Sequence, residues 1–403
     1  MIAAVDTSTE VAALRRLLTP EGRTLLGRLP AYDPAQALAV GASLRREGFD
    51  DALVAGALTQ SRLRARAVAK FGPSADRLLF TEDGLQQATR PGVAALHARR
   101  YEAVAAPVLD LCCGIGGDLI QLATAGVRAT GVDRDALTCA VAEANLGVLG
   151  LEDLADVRCA DVADADLSAA GAVFVDPSRR GSRGRTFDPR AYSPPFDTVL
   201  QMAAEVPATG AKLAPGIPHQ ILPADAEAEW VSDGGDVVEC GLWFGPLGNG
   251  AARRATLLPS GATVTGAGTL RAPVGPVGRW LHEPDGAVIR GGLVAEVAEP
   301  LGATLVDPSI AYLTTEQPVS TPFATSYEVT DVLPFGLKRL RALLRSRDVG
   351  RLTVKKRGTA VQPEELRRQL RLSGDAEATV VLTRVAGRQT VLLVRPVRVP
   401  GAS

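Results

Sequence analysis

Val108-Leu-Asp-Leu-Cys-Cys-Gly-Ile-Gly-Gly-Asp-Leu-Ile-Gln-Leu-Ala123 is a short apolar run that enters three glycines and leaves as a helix. An apolar run of this length, bounded by a glycine turn, suits a strand buried on both faces. Gly114, Gly116 and Gly117 then let the main chain turn and pass close to a ligand. The same alternation continues outward. Strands are expected at 127–132, 155–159 and 172–175, with a helix over 136–149 between the first two. Strands alternating with helices build a parallel sheet covered on both faces, which makes the fold class α/β.

Ligands of open α/β sheets sit outside the carboxyl ends of the strands, so four strand ends here share one crevice. The first brings Asp110, Cys112, Gly114 and Gly116, the second Asp133 and Arg134, and the third Asp161 and Val162. The fourth ends in Asp176-Pro-Ser-Arg-Arg-Gly181. A dinucleotide motif needs its third glycine where this chain has Leu119. A methyl donor, S-adenosylmethionine, instead needs glycines beside its amino acid part and an acid at the strand end, which Asp110 provides. A carboxylate at Asp133 suits the two ribose hydroxyls, and one at Asp161 suits the adenine amino group. Of the adjacent Cys112 and Cys113, only one can readily face the crevice.

The three motifs, DLCCGIGGDLIQLA, GVDRDALTCAVAEANL and VFVDPSRRG, resemble class I S-adenosylmethionine-dependent methyltransferases acting on RNA. The nearest resemblance is to the trimethylguanosine synthase-like group, which methylates an exocyclic guanine nitrogen. The segment from Lys70-Phe71 through Leu79-Phe80-Thr81 to Arg90-Pro91 resembles the helical segment ahead of that catalytic domain. Val354-Lys-Lys-Arg-Gly358 with Pro363-Glu-Glu-Leu-Arg-Arg-Gln-Leu370 resembles the THUMP-like domain of bacterial members. The resemblance implies a Rossmann-like seven-stranded methyltransferase sheet, an N-terminal helical region and a C-terminal α+β THUMP-like domain. It implies catalysis at Asp176, Pro177, Ser178 and Arg179. Amine methyltransferases usually have a second proline and an aromatic in this loop; Ser178 and Arg179 stand there instead. Arg179, Arg180, Phe187, Tyr192, Trp243 or Phe244 then has to supply a face for the base. A pyrimidine C5 mechanism needs a nucleophilic cysteine near the loop, and Cys240, the one cysteine after it, has no neighbouring base in sequence.

The flanks set the domain expectation: a helical region over 1–100, the methyltransferase domain over 101–262 and a basic domain over 279–403. Two β-rich runs, 236–244 and 253–259, read as an antiparallel hairpin at the end of the first sheet. A strand at 327–333, a helix at 337–347, a strand at 352–356 and a helix at 363–371 are expected near the C-terminus, followed by a hairpin of 379–384 and 390–395.

Charge is uneven. Residues 335–399 hold sixteen Lys and Arg against five Asp and Glu, a net +11 in a chain whose total is −1. Lys338, Arg341 and Arg345 share one helical face, and Lys355, Lys356 and Arg357 close the next strand. Clustered cations of this kind suit RNA phosphates; a solvated face is the plainer alternative. Five cysteines without a C-x-x-C pair, and only three histidines, argue against a disulfide scaffold or a metal site. No apolar run reaches membrane-spanning length, and the N-terminus has acids where a signal peptide has bases. A cytoplasmic RNA methyltransferase is therefore expected. A non-catalytic RNA-binding protein and a methyltransferase for protein or small molecules are the alternatives. Oligomeric state is not legible.

Overall fold

A computed structural model of the chain describes residues 7–168, 170–181, 184–185 and 188–397. Two units emerge where three regions were expected: Met1–Ala226 with Cys240–Asn249, and Glu227–Glu239 with Gly250–Ser403.

The first unit opens with helices α1 (Thr7–Leu17), α2 (Pro20–Arg28), α3 (Ala37–Arg46), α4 (Asp51–Phe71), α5 (Glu82–Gln87) and α6 (Pro91–Glu102). Their starts are chemically marked. Thr19, Asp50 and Thr81 accept first-turn N–H groups, and Pro20 and Pro91 sit where a missing N–H costs nothing. Next come β1 (Val108–Leu111), α7 (Gly117–Thr124), β2 (Ala129–Asp133), α8 (Ala136–Leu149), β3 (Ala155–Cys159) and β4 (Ala172–Val175). After α9 (Phe196–Glu205) and β5 (Thr209–Leu213), the chain leaves this unit through β6 (Ala226–Asp233) and re-enters within β7 (Asp236–Phe244).

Strands β3, β2, β1, β4 and β5 lie side by side in parallel, with Asp110 in register with both Gly131 and Phe174. The Cys240–Phe244 half of β7 runs antiparallel to β5. The chain moves from β1 toward β3, then returns to β4 on the other side of β1. That reversal opens a crevice at the carboxyl ends of β1 and β4.

The helical region is not a separate body. Leu63, Phe71, Phe80 and Tyr101 share one buried cluster with Leu119, Phe174 and Trp243. Two buried amides stitch the extended segment before α5 to its neighbours. Gln60 donates to the Phe80 carbonyl at 2.8 Å and accepts its N–H at 3.0 Å. Asn145 accepts from Leu79 N–H at 2.8 Å and donates to the carbonyls of Leu79 and Ile115. Leaving such groups unpaired costs about 1–3 kcal/mol each, so this segment is fixed against the sheet's helices.

The second unit corrects the expected hairpin. Glu227–Glu239 turns back at Gly234-Gly235, so β7 follows β6 directly, while β8 (Arg253–Leu258) pairs in parallel with β6. The run Ala226-Glu-Ala-Glu-Trp-Val-Ser-Asp233 hides a buried strand behind two glutamates: Glu227 is paired with Arg254 at 2.6 Å, and Glu229 accepts from Thr256. β9 (Ala262–Gly266), which begins where the methyltransferase domain was expected to end, pairs with β8.

A second sheet of seven strands follows: β10 (Trp280–Pro284), β11 (Thr304–Asp307), β12 (Ile310–Thr315), β13 (Ala324–Pro334), β14 (Val349–Lys356), β15 (Ala376–Val385) and β16 (Arg388–Pro396). Helices α10 (Gly286–Gly291), α11 (Val294–Leu301), α12 (Leu337–Ser346) and α13 (Pro363–Leu370) complete it. Alternate residues of β15 and β16 fill two cores. Val380, Leu382, Val391 and Leu393 join Leu340, Leu344, Leu366 and Leu370; Val381, Leu392 and Val394 join Leu281, Tyr312 and Tyr327. The expected C-terminal helices and strands are all present, within three residues at each end. The repeat of Val-Asp-Pro-Ser at 306–309 is a turn: Asp307 accepts from Ser309 N–H and from Gly387 N–H.

Candidate active site

A cleft of about 900 Å³ opens at the carboxyl ends of β1, β2, β3 and β4. Its lining brings together Cys112, Gly114, Asp133, Arg134, Asp161, Val162, Asp176, Pro177, Ser178 and Arg179. These are ten of the twelve residues expected there. The other two lie behind it. Gly116 holds φ +86° at the start of α7 and packs toward Ala142. It serves the turn and helix packing, whereas a Cβ on Gly117 would come within 3.3 Å of the Thr89 amide nitrogen.

Asp110 is 1% exposed, and neither carboxyl oxygen has a hydrogen-bond partner among the described residues. Burial, reinforced by the acids Asp118 and Asp176, pushes its carboxyl well above the usual range. It lies beneath the cleft and is not among the residues that line it.

The turn after β1 is shaped by Asp133. Its Oδ2 accepts the Gly114 N–H at 3.1 Å, and its Oδ1 accepts the Asp135 N–H at 3.0 Å. One lone pair on each oxygen stays available to a diol. At Gly114, φ is +56° and a Cβ would meet open space, so bare backbone faces the cleft. Asp161 Oδ1 accepts the Ala163 N–H at 2.9 Å, which fixes that side chain at the end of β3.

The fourth strand end carries an ion pair that sequence reading missed. Lys212, on β5, donates to Asp176 Oδ2 at 2.5 Å and to Thr89 Oγ1 at 3.0 Å. Thr89 donates to Asp118 Oδ2 at 2.5 Å, and His97 Nδ1 lies 2.7 Å from Asp118 Oδ1. Burial alone would raise the Asp118 carboxyl. The bond and charge of His97, with Lys212 and Thr89, outweigh it and hold the group below the usual range. The His97 ring is walled by Phe174 at 5.0 Å and Trp243 at 5.5 Å. One signal was readable: Lys212 is among only five lysines in the chain and falls inside an otherwise apolar strand.

No aromatic side chain lines the cleft among the described residues. Tyr192, Trp243 and Phe244 are buried at 3%, 1% and 5% exposure, so none offers a face to a base there. Phe187 and the side chain of Arg180 lie outside the described residues. Cys112 is the cleft cysteine nearest the Asp176 loop, its thiol 3.9 Å from the Ser193 carbonyl. Burial and the acids Asp176, Asp133 and Asp110 push it far above its ordinary value.

The basic face of the second unit is more engaged than its spacing suggests. Lys355 is paired with Glu283 at 2.6 Å and lies over the Tyr327 ring. Although burial opposes it, the Glu283 bond raises the Lys355 ammonium above its usual range. Arg357 stacks over Tyr312. Lys355 and Arg357 are thus tied into the sheet, which corrects the expectation of a row of open cations. Arg341 and Arg345 donate to the carbonyls of Gln369 and Arg371 at the end of α13, favourable positions for cations. Lys356 reaches the Val361 carbonyl and Gln362 and is exposed, as is Lys338.

Among the described residues no helix is long and apolar enough to cross a membrane, and no cluster of metal-ligating side chains occurs.

Three family models match the chain: a domain of unknown function over 10–67, RNA cap guanine-N2 methyltransferase over 105–196 and THUMP domain-like over 324–396. An uncharacterized S-adenosylmethionine-dependent methyltransferase of Mycobacterium tuberculosis is 37% identical over 332 residues, covering 80% of this chain and 90% of that protein. A 23S rRNA (uracil(1939)-C(5))-methyltransferase of Acidithiobacillus ferrooxidans is 36% identical over 81 residues, 19% of this chain and 18% of that protein. The crystal structure of a methyltransferase-like protein from Porphyromonas gingivalis W83 superposes with a TM-score of 0.72 at 20% identity, over 92% of this chain and 100% of that one. That likeness shows the fold. The long match at 37% identity, on a sheet whose crevice carries the acids and glycine turn a methyl donor needs, places the chain in the family of S-adenosylmethionine-dependent methyltransferases.

Proposed function

We propose that this methyltransferase modifies an exocyclic amine of a base, guanine above others, in structured RNA. The observation that carries the reading is Asp176. Its carboxylate ends β4, lines the same cleft as Asp133 and is fixed by Lys212. The bound donor supplies an electrophilic methyl group on a sulfonium. Asp133 holds the ribose hydroxyls, Asp161 and Val162 the adenine, and the bare backbone at Gly114 the amino acid part. Cys112 and Arg134 complete the wall. Asp176 accepts a hydrogen bond from the acceptor amine and turns its lone pair toward the methyl carbon. The Pro177 carbonyl accepts a second bond, and Ser178 and Arg179 bound the acceptor, the guanidinium lying against the base. After transfer the surplus proton leaves the nitrogen through Asp176 to water. Positioning supplies most of the acceleration in such a displacement.

The family model over 105–196 favours guanine, and the THUMP-like match favours RNA. The short likeness to a uracil C5 enzyme points to a different chemistry, one that needs a thiolate. The Cys112 thiol, held protonated by burial and three acids, disfavours it. Lys338, Arg341, Arg345, Lys356 and, less freely, Lys355 and Arg357 form the phosphate-facing surface of the second unit. The deciding experiment compares RNA nucleosides of a deletion strain and its parent by mass spectrometry. Loss of an N-methylated guanosine supports the reading, loss of 5-methyluridine replaces it, and identical profiles remove RNA as the acceptor.

A further inference from the structure

Lys212 is the one lysine whose side chain lines the cleft among the described residues, and its own side chain is 12% exposed. An ammonium this enclosed is tolerated only with partners arranged around it. Two are in place: Asp176 Oδ2 at 2.5 Å and Thr89 Oγ1 at 3.0 Å. Thr89 has little freedom itself. It is 5% exposed, it precedes α6 at Arg90-Pro91, and its hydroxyl proton is committed to Asp118. Asp118, in the first turn of α7, is held in turn by His97 from α6. The relay of bonds therefore runs from the strand end carrying Asp176, through β5, to two helices. Each link is a charge-assisted or hydroxyl bond between buried or half-buried groups, where such bonds are strong and geometrically strict.

A carboxylate at a strand end with rotatable χ angles can point in several directions. Asp176 is 28% exposed on its side chain, so packing alone does not fix it. The bond to Lys212 occupies Oδ2 and selects one orientation. The helical N-terminal region supplies Thr89 and His97, which gives it a share in the site.

We propose that Lys212 is a positioning residue for methyl transfer, aiming Asp176 at the acceptor, and that Thr89, Asp118 and His97 hold Lys212 in place. This deepens the reading of Asp176 as the acceptor-binding group and rests on it.

The test uses full-length protein and the variants Lys212→Met, Lys212→Arg, Thr89→Val and Asp176→Asn. Radiolabel transfer to total RNA from a deletion strain gives kcat and KM; calorimetry gives S-adenosylmethionine affinity; melting gives stability. Lys212→Met is expected to lose about 10²-fold in kcat, the scale of a misplaced group, at unchanged donor affinity; its melting temperature falls because Asp176 is left unpaired, but it remains folded at the assay temperature. Lys212→Arg keeps the cation and is expected to recover about a tenth or more of the parental kcat. Thr89→Val falls between them. A second readout needs no acceptor. Lysine-selective isotope labelling gives side-chain signals from only Lys70, Lys212, Lys338, Lys355 and Lys356. The Lys212 signal, assigned through Lys212→Arg, is expected to move in Asp176→Asn and in Thr89→Val. Parental kcat in Lys212→Met overturns the proposal. So does a loss matched by lost donor binding or by unfolding at the assay temperature, and so does a Lys212 signal indifferent to Asp176→Asn. If the parental protein transfers nothing to RNA, the RNA reading fails on its own. The spectra then decide whether Lys212 holds Asp176.

Discussion

The carboxylate of Asp133 accepts the backbone N–H of Gly114 at 3.1 Å, so the acid at the end of β2 builds the turn after β1 as well as facing the cleft. One substitution there removes both a ligand for the donor's diol and a brace of the loop beneath it. Asp133→Ala is expected to weaken S-adenosylmethionine binding by about 1.5–3 kcal/mol, the usual worth of hydrogen bonds to a charged group. Asp133→Asn keeps the acceptor for Gly114 and should lose less. Calorimetry on both separates the roles, and equal losses would mean that the brace contributes little.

Asp176→Ala is expected to abolish methyl transfer, a loss beyond about 10²-fold, with donor affinity nearly unchanged because its partner is the acceptor. Parental radiolabel transfer in this variant would show that the acceptor is held elsewhere.

The strands and helices around this site were legible because each signal is local. The glycine turn after β1, the acids at 110, 133, 161 and 176, and the helix over Ala136–Leu149 depend on neighbours within one motif. What stayed hidden depends on partners far along the chain. Ala226–Asp233 looks polar until Arg254 and Thr256, more than twenty residues later, are seen to satisfy its glutamates. Lys212 and Thr89 are 123 residues apart and meet only in the folded sheet. Asp110 misled in the opposite sense. A strand-end acid reads as a lining ligand, yet Asp110 is 1% exposed and sits behind the cleft wall, where burial pushes its carboxyl upward.

Cys112→Ala separates amine from pyrimidine C5 chemistry. Burial and the acids Asp176, Asp133 and Asp110 push its thiol upward, away from the thiolate that the C5 route needs. The variant should keep methyl transfer within a few-fold of the parent, and treatment of the parent with a small alkylating agent at neutral pH should leave transfer unchanged. Abolished transfer with intact donor binding would revive the C5 route.

Lys70 offers a pH signature of the helical region. Its ammonium is brought down to about 8, first by burial and then by the neighbouring cations Lys212 and Arg90. The unfolded chain therefore binds this proton more tightly than the native one. Stability must rise with pH between about 8 and the ordinary lysine value near 10.4. Lys70→Met removes that contribution. Chemical denaturation of both proteins from pH 7.5 to 10 should give a stability difference that grows in favour of the parent with pH. A constant difference would place Lys70 in open solvent.

The basic face of the second unit makes the last prediction, because its cations are not equivalent. Every cation withdrawn from a phosphate lowers the log–log salt slope of RNA binding by about 0.7–0.9. Lys338 and Lys356 are exposed, and so is Arg345, which donates to the Arg371 carbonyl, so all three can track phosphates. Removing them together should flatten the slope by roughly 2 to 3 units. Unrelated RNAs should weaken alike, since binding through phosphates positions the nucleic acid without reading its sequence. Lys355 should behave differently. It neutralises Glu283 at 2.6 Å beneath Tyr327, so Lys355→Met leaves a half-buried acid unpaired. That variant should lose stability, about 1–3 kcal/mol, with a slope change of less than about half a unit. Fluorescence anisotropy across salt, with denaturation of each variant, reads both quantities. If Lys355→Met flattens the slope as much as any exposed cation while stability holds, its pairing with Glu283 opens to RNA. If the triple variant keeps the parental slope, this face is solvated and RNA is recruited elsewhere.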